Sequence, residues 1–158
     1  MSVTSEQLLL KCEFEEEYFA FFLDDLSQII LIESAFHLTK APDCIYGIAN
    51  YKGKILTVIN MPHIVKKQIS KDFFIGVLAK NLTHIGLILG TKIETLMVSF
   101  TQIKPLSEER ANLPASDILE GEFLDNGRLI YIISINKLYH YLYEEVQTYL
   151  RKSFRLLA

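Results

Sequence analysis

Short apolar runs separated by turn residues make up most of the chain. The runs are rich in Ile, Phe and Tyr, and their lengths are typical of β-strands. They cover residues 18–23, 29–32, 45–49, 55–59, 73–79, 85–89, 96–100 and 129–135. Regularly spaced short strands with little helix between them predict a mainly β barrel or sandwich.

Turn residues join these runs at three informative places. Asn126-Gly127 predicts a tight hairpin, because both residues tolerate positive φ. The acidic run 13–17 predicts a solvated hairpin turn, although paired carboxylates for acid–base chemistry are the alternative interpretation. Asp24-Asp25 is interpreted as a surface pair, and residues 24–28 as a short helical or bulged connection.

The pattern changes to a helical period near the C-terminus. Apolar residues recur at steps of three and four from Leu138 onward, and polar residues take the other face, which predicts an amphipathic helix over residues 137–157. Its apolar face either packs on the β structure or binds a partner. The apolar positions are Leu138, Leu142, Val146, Tyr149 and Leu150, and the polar positions are Lys137, His140, Glu144, Gln147, Thr148 and Arg151.

An internal repeat relates residues 45–60 to residues 119–134. Each copy has the pattern strand, glycine turn, strand, and Lys54 of the first copy matches Arg128 of the second. Glycines recur at matching positions, which indicates tight backbone geometry at those places. The repeat predicts two related sub-barrels. The four glycines predicted at structural turns are Gly47, Gly53, Gly121 and Gly127.

Composition narrows the functional classes. The chain has 158 residues, half of them hydrophobic, and a net charge of −3, which together favour a packed domain over a disordered chain or a nucleic-acid-binding surface. No apolar run approaches the ~20 residues of a membrane helix, and the start lacks the pattern of a signal peptide, so we expect a cytoplasmic protein without membrane insertion. Cys12 and Cys44 are expected to be buried free thiols.

No recognisable catalytic or metal-binding motif occurs. The histidines are spread over positions 37, 63, 84 and 140, and none is spaced with another His or Cys as metal ligands usually are. Gly-x-Ser-x-Gly and phosphate-loop patterns are also missing. These absences argue against a metal site and an enzyme, although active sites assembled in space leave a small β-barrel enzyme or ligand-binding protein open. The expectation of no enzyme activity, no catalytic residue and no cofactor comes from the family resemblance described next.

Residues 41–61, with the sequence APDCIYGIANYKGKILTVINM, resemble the CheW-like family of chemotaxis adaptors. The family pattern there is a proline, a hydrophobic-x-Gly, then Asn-x-Arg-Gly and hydrophobic-Pro-hydrophobic-hydrophobic-Asp-Leu. The stretches 9–30, 84–89, 103–105 and 119–138 are similar to further family elements in the same order. The resemblance covers nearly the whole chain.

The resemblance implies one CheW-like domain over residues 1–158, made of two interleaved barrels of about five strands each and the helix 137–157. It implies a non-catalytic adaptor that couples chemoreceptors to a CheA-type histidine kinase. A hydrophobic groove between the barrels would grip the cytoplasmic tip of a receptor, and other surfaces would contact the regulatory domain of the kinase. By position, the implied receptor-binding residues are Leu23, Leu26, Gln28 and Lys52.

The chain departs from the family pattern at three informative positions. Lys52 stands in place of the usual arginine, Thr57 in place of the proline and Asn60 in place of the aspartate. Lysine keeps the charge of arginine but loses its planar set of donors. These departures leave partner choice open, including an adaptor for another chemosensory-type pathway, such as pilus motility or development.

Overall fold

Eleven β-strands and two α-helices make up the regular structure of residues 5–31, 35–113 and 115–157, which the computed structural model describes. The strands are β1 Glu6–Phe14, β2 Glu17–Phe22, β3 Leu26–Leu31, β4 Phe36–His37, β5 Ile45–Tyr51, β6 Lys54–Ile59, β7 Phe74–Leu78, β8 Ile85–Leu89, β9 Ile93–Ser99, β10 Leu119–Asp125 and β11 Arg128–Ile133. The helices are α1 Met61–Ile64 and α2 Ile135–Leu157.

The strands form two sheets. The chain begins in sheet A, builds the whole of sheet B and then returns to sheet A. Sheet A has the order β10-β11-β2-β1-β9, and sheet B has the order β3-β7-β8-β6-β5-β4. In sheet A, β11 pairs in parallel with β2, so the N-terminal hairpin completes the sheet of the C-terminal hairpin. In sheet B, β6 pairs in parallel with β8 in the same way. The two halves of the repeat therefore occupy corresponding places in the two sheets.

Three apolar clusters show how the sheets are stacked. One face of sheet B encloses a cluster that includes Ile30 and Ala49, and one face of sheet A encloses a cluster that includes Leu9 and Ile130. The other faces, together with both helices, enclose the largest cluster between the sheets. Because side chains from distant strands of one sheet meet in one cluster, each sheet curls around its own core.

Both repeated hairpins end in the same tight turn. Lys52 and Gly53 have φ of 49° and 79°, and Asn126 and Gly127 have φ of 51° and 76°. Positive φ at both central residues matches the right-handed twist of the flanking strands. The hairpin predicted at Asn126-Gly127 is confirmed, and so is the one at the acidic run, where Glu15 and Glu16 form the turn between β1 and β2.

Gly47 and Gly121 do not lie in turns, so that part of the sequence prediction is wrong. Both lie inside strands, at a shift of register within each hairpin. A Cβ at Gly47 would lie 1.9 Å from the carbonyl oxygen of Phe36, and one at Gly121 would lie 3.0 Å from that of Lys104. Close approach of a neighbouring backbone, rather than turn geometry, requires glycine at position 47 and leaves only a tight fit for a Cβ at position 121.

The helices begin at polar caps. Asn60 accepts a hydrogen bond from the amide of His63 at 3.2 Å and caps α1, a helix that the sequence prediction missed. Ser134 accepts from the amide of Lys137 at 3.2 Å, so α2 begins at Ile135 rather than at residue 137. The apolar run 129–135 obscured this boundary because its last residue belongs to the helix.

The predicted fold, mainly β with two related β units and a C-terminal helix, is confirmed. The expectation of about five strands in each unit holds for sheet A, while sheet B gains the short edge strand β4 as a sixth. Within the described ranges, the pairing orders are open rather than closed barrels. Residue 32, at the end of the predicted strand 29–32, lies outside these ranges.

Candidate functional site

Gln28 and Lys52, two of the four residues expected to bind a receptor, both contact the side chain of Tyr51. The hydroxyl of Tyr51 donates a hydrogen bond to Oε1 of Gln28 at 2.5 Å. The ammonium of Lys52 lies 5.2 Å from the centre of the Tyr51 ring. Gln28 and Tyr51 belong to strands that are separated by three others in sheet B, so the contact depends on the curl of the sheet. Tyr51 itself was not predicted as a site residue.

The turn that carries Lys52 is fixed by its own side chains. Asn50 Oδ1 accepts a hydrogen bond from the amide of Gly53 at 3.1 Å, which closes the turn. Lys52 is exposed, as expected for a turn lysine. The hairpin therefore presents a positive charge to solvent on a well-ordered backbone.

Leu23 and Leu26 face a different environment from Gln28. Leu26 is only 9% exposed and belongs to the cluster between the sheets, and Leu23 is half-buried against the same cluster. The shift of register between Leu26 and Gln28 turns these neighbouring side chains toward opposite faces of β3. A contribution of Leu26 to the packing of the fold is therefore certain from its burial.

An apolar surface of sheet B remains uncovered beside the Lys52 turn. Phe36 is 70% exposed and Ile55 is 67% exposed, while Ile48 is half-buried. The pairs Phe36–Ile48 and Asn50–Ile55 place these side chains on one face of the sheet. We call Phe36, Ile48, Asn50 and Ile55 the open face. Contiguous exposed apolar side chains of this kind mark interaction surfaces.

The corresponding surface of sheet A is covered by the chain itself at one position, while Leu124, at the repeat position of Asn50, is 64% exposed. Glu122 occupies the repeat position of Ile48, and Lys104 pairs with it as Phe36 pairs with Ile48. Glu122 is only 4% exposed, and it accepts hydrogen bonds from Nε of Arg110 at 3.0 Å and from the amide of Ser107 at 2.8 Å. The segment after Lys104 thus closes over Glu122.

Electrostatics reinforce this closure. Burial raises the pKa of Glu122, but hydrogen bonds from Arg110 and from the Ser107 amide more than offset this effect and lower the pKa. The same hydrogen bond between Arg110 and Glu122 raises the pKa of Arg110. Neither residue was singled out in the sequence. Glu120 and Asp125 are acidic residues of the same strand, so the sequence held no signal that singles out Glu122.

Three titratable side chains meet at a cavity beside the start of α2. This cavity of about 320 Å³ is lined by Asp25, Glu120 and Lys80. Burial raises the pKa of both carboxyl groups, and the charge of Asp25 raises that of Glu120 further. Over the ranges with described coordinates, no three His, Cys, Asp or Glu side chains are grouped closely enough to hold a metal ion.

Both cysteines are free and buried, which confirms their interpretation as core thiols. Burial raises the pKa of Cys12, and burial with the charge of Glu145 raises that of Cys44 to about 11. A thiol that stays protonated at neutral pH is a poor nucleophile and a poor metal ligand. The cysteines therefore contribute to packing.

Comparisons with known proteins agree with this architecture. A model of the CheW-like domain family matches residues 8–142. The crystal structure of the scaffolding protein TtCheW from Thermoanaerobacter tengcongensis is similar, with 23% sequence identity, a TM-score of 0.69, and coverage of 82% of this chain and 84% of that chain. No curated protein matches the chain. In the part of the chain with described structure, no helix is long and apolar enough to cross a membrane.

Proposed function

The chain belongs to the CheW-like domain family, and from this premise we propose that it is a non-catalytic adaptor that couples chemoreceptors to a CheA-type histidine kinase. Its proposed partners are the cytoplasmic tip of a receptor and the regulatory domain of the kinase, and its proposed location is the cytoplasm. We also propose that the two sheets are interleaved sub-domains of one unit spanning residues 1–158.

The open face of sheet B is the observation that supports docking most directly. The Arg110 segment of the chain buries Glu122, at the repeat position of Ile48, whereas Phe36 and Ile55 around Ile48 stay exposed. Burying two such side chains against a partner would favour association by about 1.5–3 kcal/mol each before the costs of binding are subtracted. A partner protein is therefore proposed to bind the open face.

Lys52 and Gln28 are proposed to fix the position of the receptor tip. The lysine ammonium lies over Tyr51, on the face of β5 opposite to Asn50 and Ile55, so a partner that contacts both must reach around the end of the hairpin. Charges at the edge of an interface contribute mainly to specificity and association rate. Leu23 is proposed to extend the contact, and Leu26 is proposed to support it from the core.

Signal transfer through such an adaptor is a matter of linkage. The adaptor can pass on only the difference in binding free energy between two receptor states. A rigid frame of two curled sheets around a shared core suits this task, because a shift at one face is not absorbed by internal rearrangement.

The proposal is tested by reconstitution. A receptor-tip helical hairpin and a kinase regulatory domain are mixed with the full chain, and the complex is measured by size-exclusion chromatography. We expect all three to co-elute, whereas the receptor fragment and the kinase domain should not co-elute without the chain. Failure of the chain to bind either fragment would contradict the adaptor role.

A further inference from the structure

The surface of α2 carries an apolar stripe that the other described residues leave uncovered. Tyr139, Tyr143, Leu150 and Phe154 are all exposed. At about 100° per residue, these four side chains lie within about 60° of one another around the helix axis. Among the described side chains from Tyr143 to Arg155, none is fully buried. The helix therefore presents a continuous apolar surface beyond its buried positions Leu138 and Leu142.

The stripe is symmetric along the helix. Tyr139 and Phe154 lie at equal distances from a midpoint between residues 146 and 147, and so do Tyr143 and Leu150. A second copy of α2, laid antiparallel across this midpoint, would place Tyr139 against the Phe154 of the other copy. Tyr143 would meet the other Leu150 in the same way. A twofold interface requires this kind of self-complementary surface.

The charges beside the stripe favour the same antiparallel arrangement. Glu144 and Arg151 are exposed on one flank of the stripe. In the antiparallel pair, each Glu144 lies about two residues from the Arg151 of the other copy, within reach of its long side chain. In a parallel pair, Glu144 and the Arg151 of the other copy would instead lie on opposite sides of the interface. An anionic membrane surface would attract Arg151 but repel Glu144 beside the same stripe.

From this pattern we propose that α2 is a self-association surface, through which two copies of the chain pair antiparallel by Tyr139, Tyr143, Leu150 and Phe154. The surface lies mostly beyond the residues 8–142 that match the family. The proposal does not depend on the adaptor role, because it uses neither the open face nor the Lys52 turn.

Sedimentation equilibrium of the full chain, from about 1 μM to about 1 mM, tests the proposal. We expect a monomer–dimer equilibrium in this range, because the contact is small. Tyr143→Glu should raise the dimer Kd at least about tenfold, whereas Thr148→Glu on the opposite helix face should leave it unchanged. Circular dichroism melting confirms that each variant is folded. A wild type that stays monomeric throughout would overturn the proposal.

A charge swap between Glu144 and Arg151 distinguishes the specific antiparallel pair from nonspecific association. Glu144→Arg and Arg151→Glu should each raise the dimer Kd about tenfold, and the double variant should restore it to near the wild-type value. A double variant no better than either single variant would refute the antiparallel register. A monomeric chain that binds phosphatidylserine vesicles, and loses this binding in Tyr143→Glu, would assign the stripe to a membrane surface instead.

Discussion

Arg110 holds the buried carboxylate of Glu122 at two points. Its Nε donates to Oε1 at 3.0 Å, and its Nη2 lies 2.6 Å from Oε2. Two-point contacts of this kind fix orientation as well as adding energy. The pair anchors the segment that covers Glu122, at the repeat position of the half-buried Ile48 in sheet B. One ion pair thus marks a local difference between two otherwise similar sheets.

Removal of Arg110 should destabilise the fold. Arg110→Ala leaves the carboxylate of Glu122 buried with one remaining donor among the described residues, the Ser107 amide, and we expect a clear loss in the free energy of unfolding. The partial exposure of Arg110 limits this loss, because solvent screening weakens the pair. Urea denaturation measures the loss. The exposed neighbour Glu109→Ala is the matched control and should change stability by less than about 0.5 kcal/mol.

Stability should fall in acid because of Glu122. Its pKa in the folded chain is lower than the ordinary value of 4.5. The stabilisation is therefore complete above that value and is lost as the pH falls through the lower, folded-state pKa. Asp25 and Glu120 act in the opposite direction, because their folded pKa values are raised.

Comparison with Glu122→Gln isolates this contribution from those of the other carboxyl groups. Urea midpoints of both proteins are followed from about pH 7 to about pH 3. The wild type should be the more stable protein at neutral pH, and its advantage should shrink below pH 4.5. An advantage that stays constant down to pH 3 would show that the ionisation of Glu122 does not stabilise the fold.

Two glycine substitutions should differ in cost for different physical reasons. Gly53→Ala strains a residue with φ of 79° but meets no atom within 4 Å, so a loss of about 1–2 kcal/mol is expected. Gly47→Ala would place Cβ 1.9 Å from the Phe36 carbonyl oxygen and must displace β4, which should cost more. Thermal denaturation of the two variants compares them directly. Equal losses would show that β4 moves aside freely.

Binding of a receptor-tip fragment should depend on the open face and not on global stability. Ile55→Ser and Lys52→Glu should each weaken binding about tenfold with nearly unchanged melting temperatures, because both side chains are exposed. Lys71→Glu makes the same charge change in an exposed loop outside this face and should bind normally. If Lys52→Glu binds as tightly as Lys71→Glu, the turn is not part of the site.

Leu26 should behave as a core residue when stability is measured. Leu26→Ala removes a side chain that is 9% exposed and packed between the sheets, so we expect a loss of about 2–4 kcal/mol in the free energy of unfolding. Chemical denaturation provides the measurement. A variant with unchanged stability but weaker receptor binding would instead assign Leu26 to the docking surface.

Strand positions were largely predictable from the sequence, because apolar runs and Asn-Gly or Lys-Gly turns are local signals. Strand β4 and helix α1 were missed because elements of two and four residues are too short to leave such a signal. Asn60 was noted as a departure from an aspartate, yet its role as the cap of α1 became evident only in the structure. Either residue type can cap a helix, so this departure keeps the local fold.

The candidate site was less predictable because its contacts join distant residues. Gln28 and Tyr51 meet only because sheet B curls, and no local pattern reports that curl. Arg110 reaches Glu122 from an irregular segment whose path depends on packing. The position of Thr57 illustrates the same point: its amide donates to the carbonyl of His84 at 2.8 Å, a bond that a proline could not make.

The parallel pairing of β11 with β2 has a consequence for the order in which the protein folds. All strands of sheet B lie within one continuous stretch of chain, whereas sheet A needs the first and the last strands together. As the chain leaves the ribosome, sheet B can form before β11 has been synthesised. Until then, one edge of β2 has no partner strand. Sheet A must then wait for the long-range contact of β11, which makes its completion the slow and aggregation-sensitive step of biosynthesis.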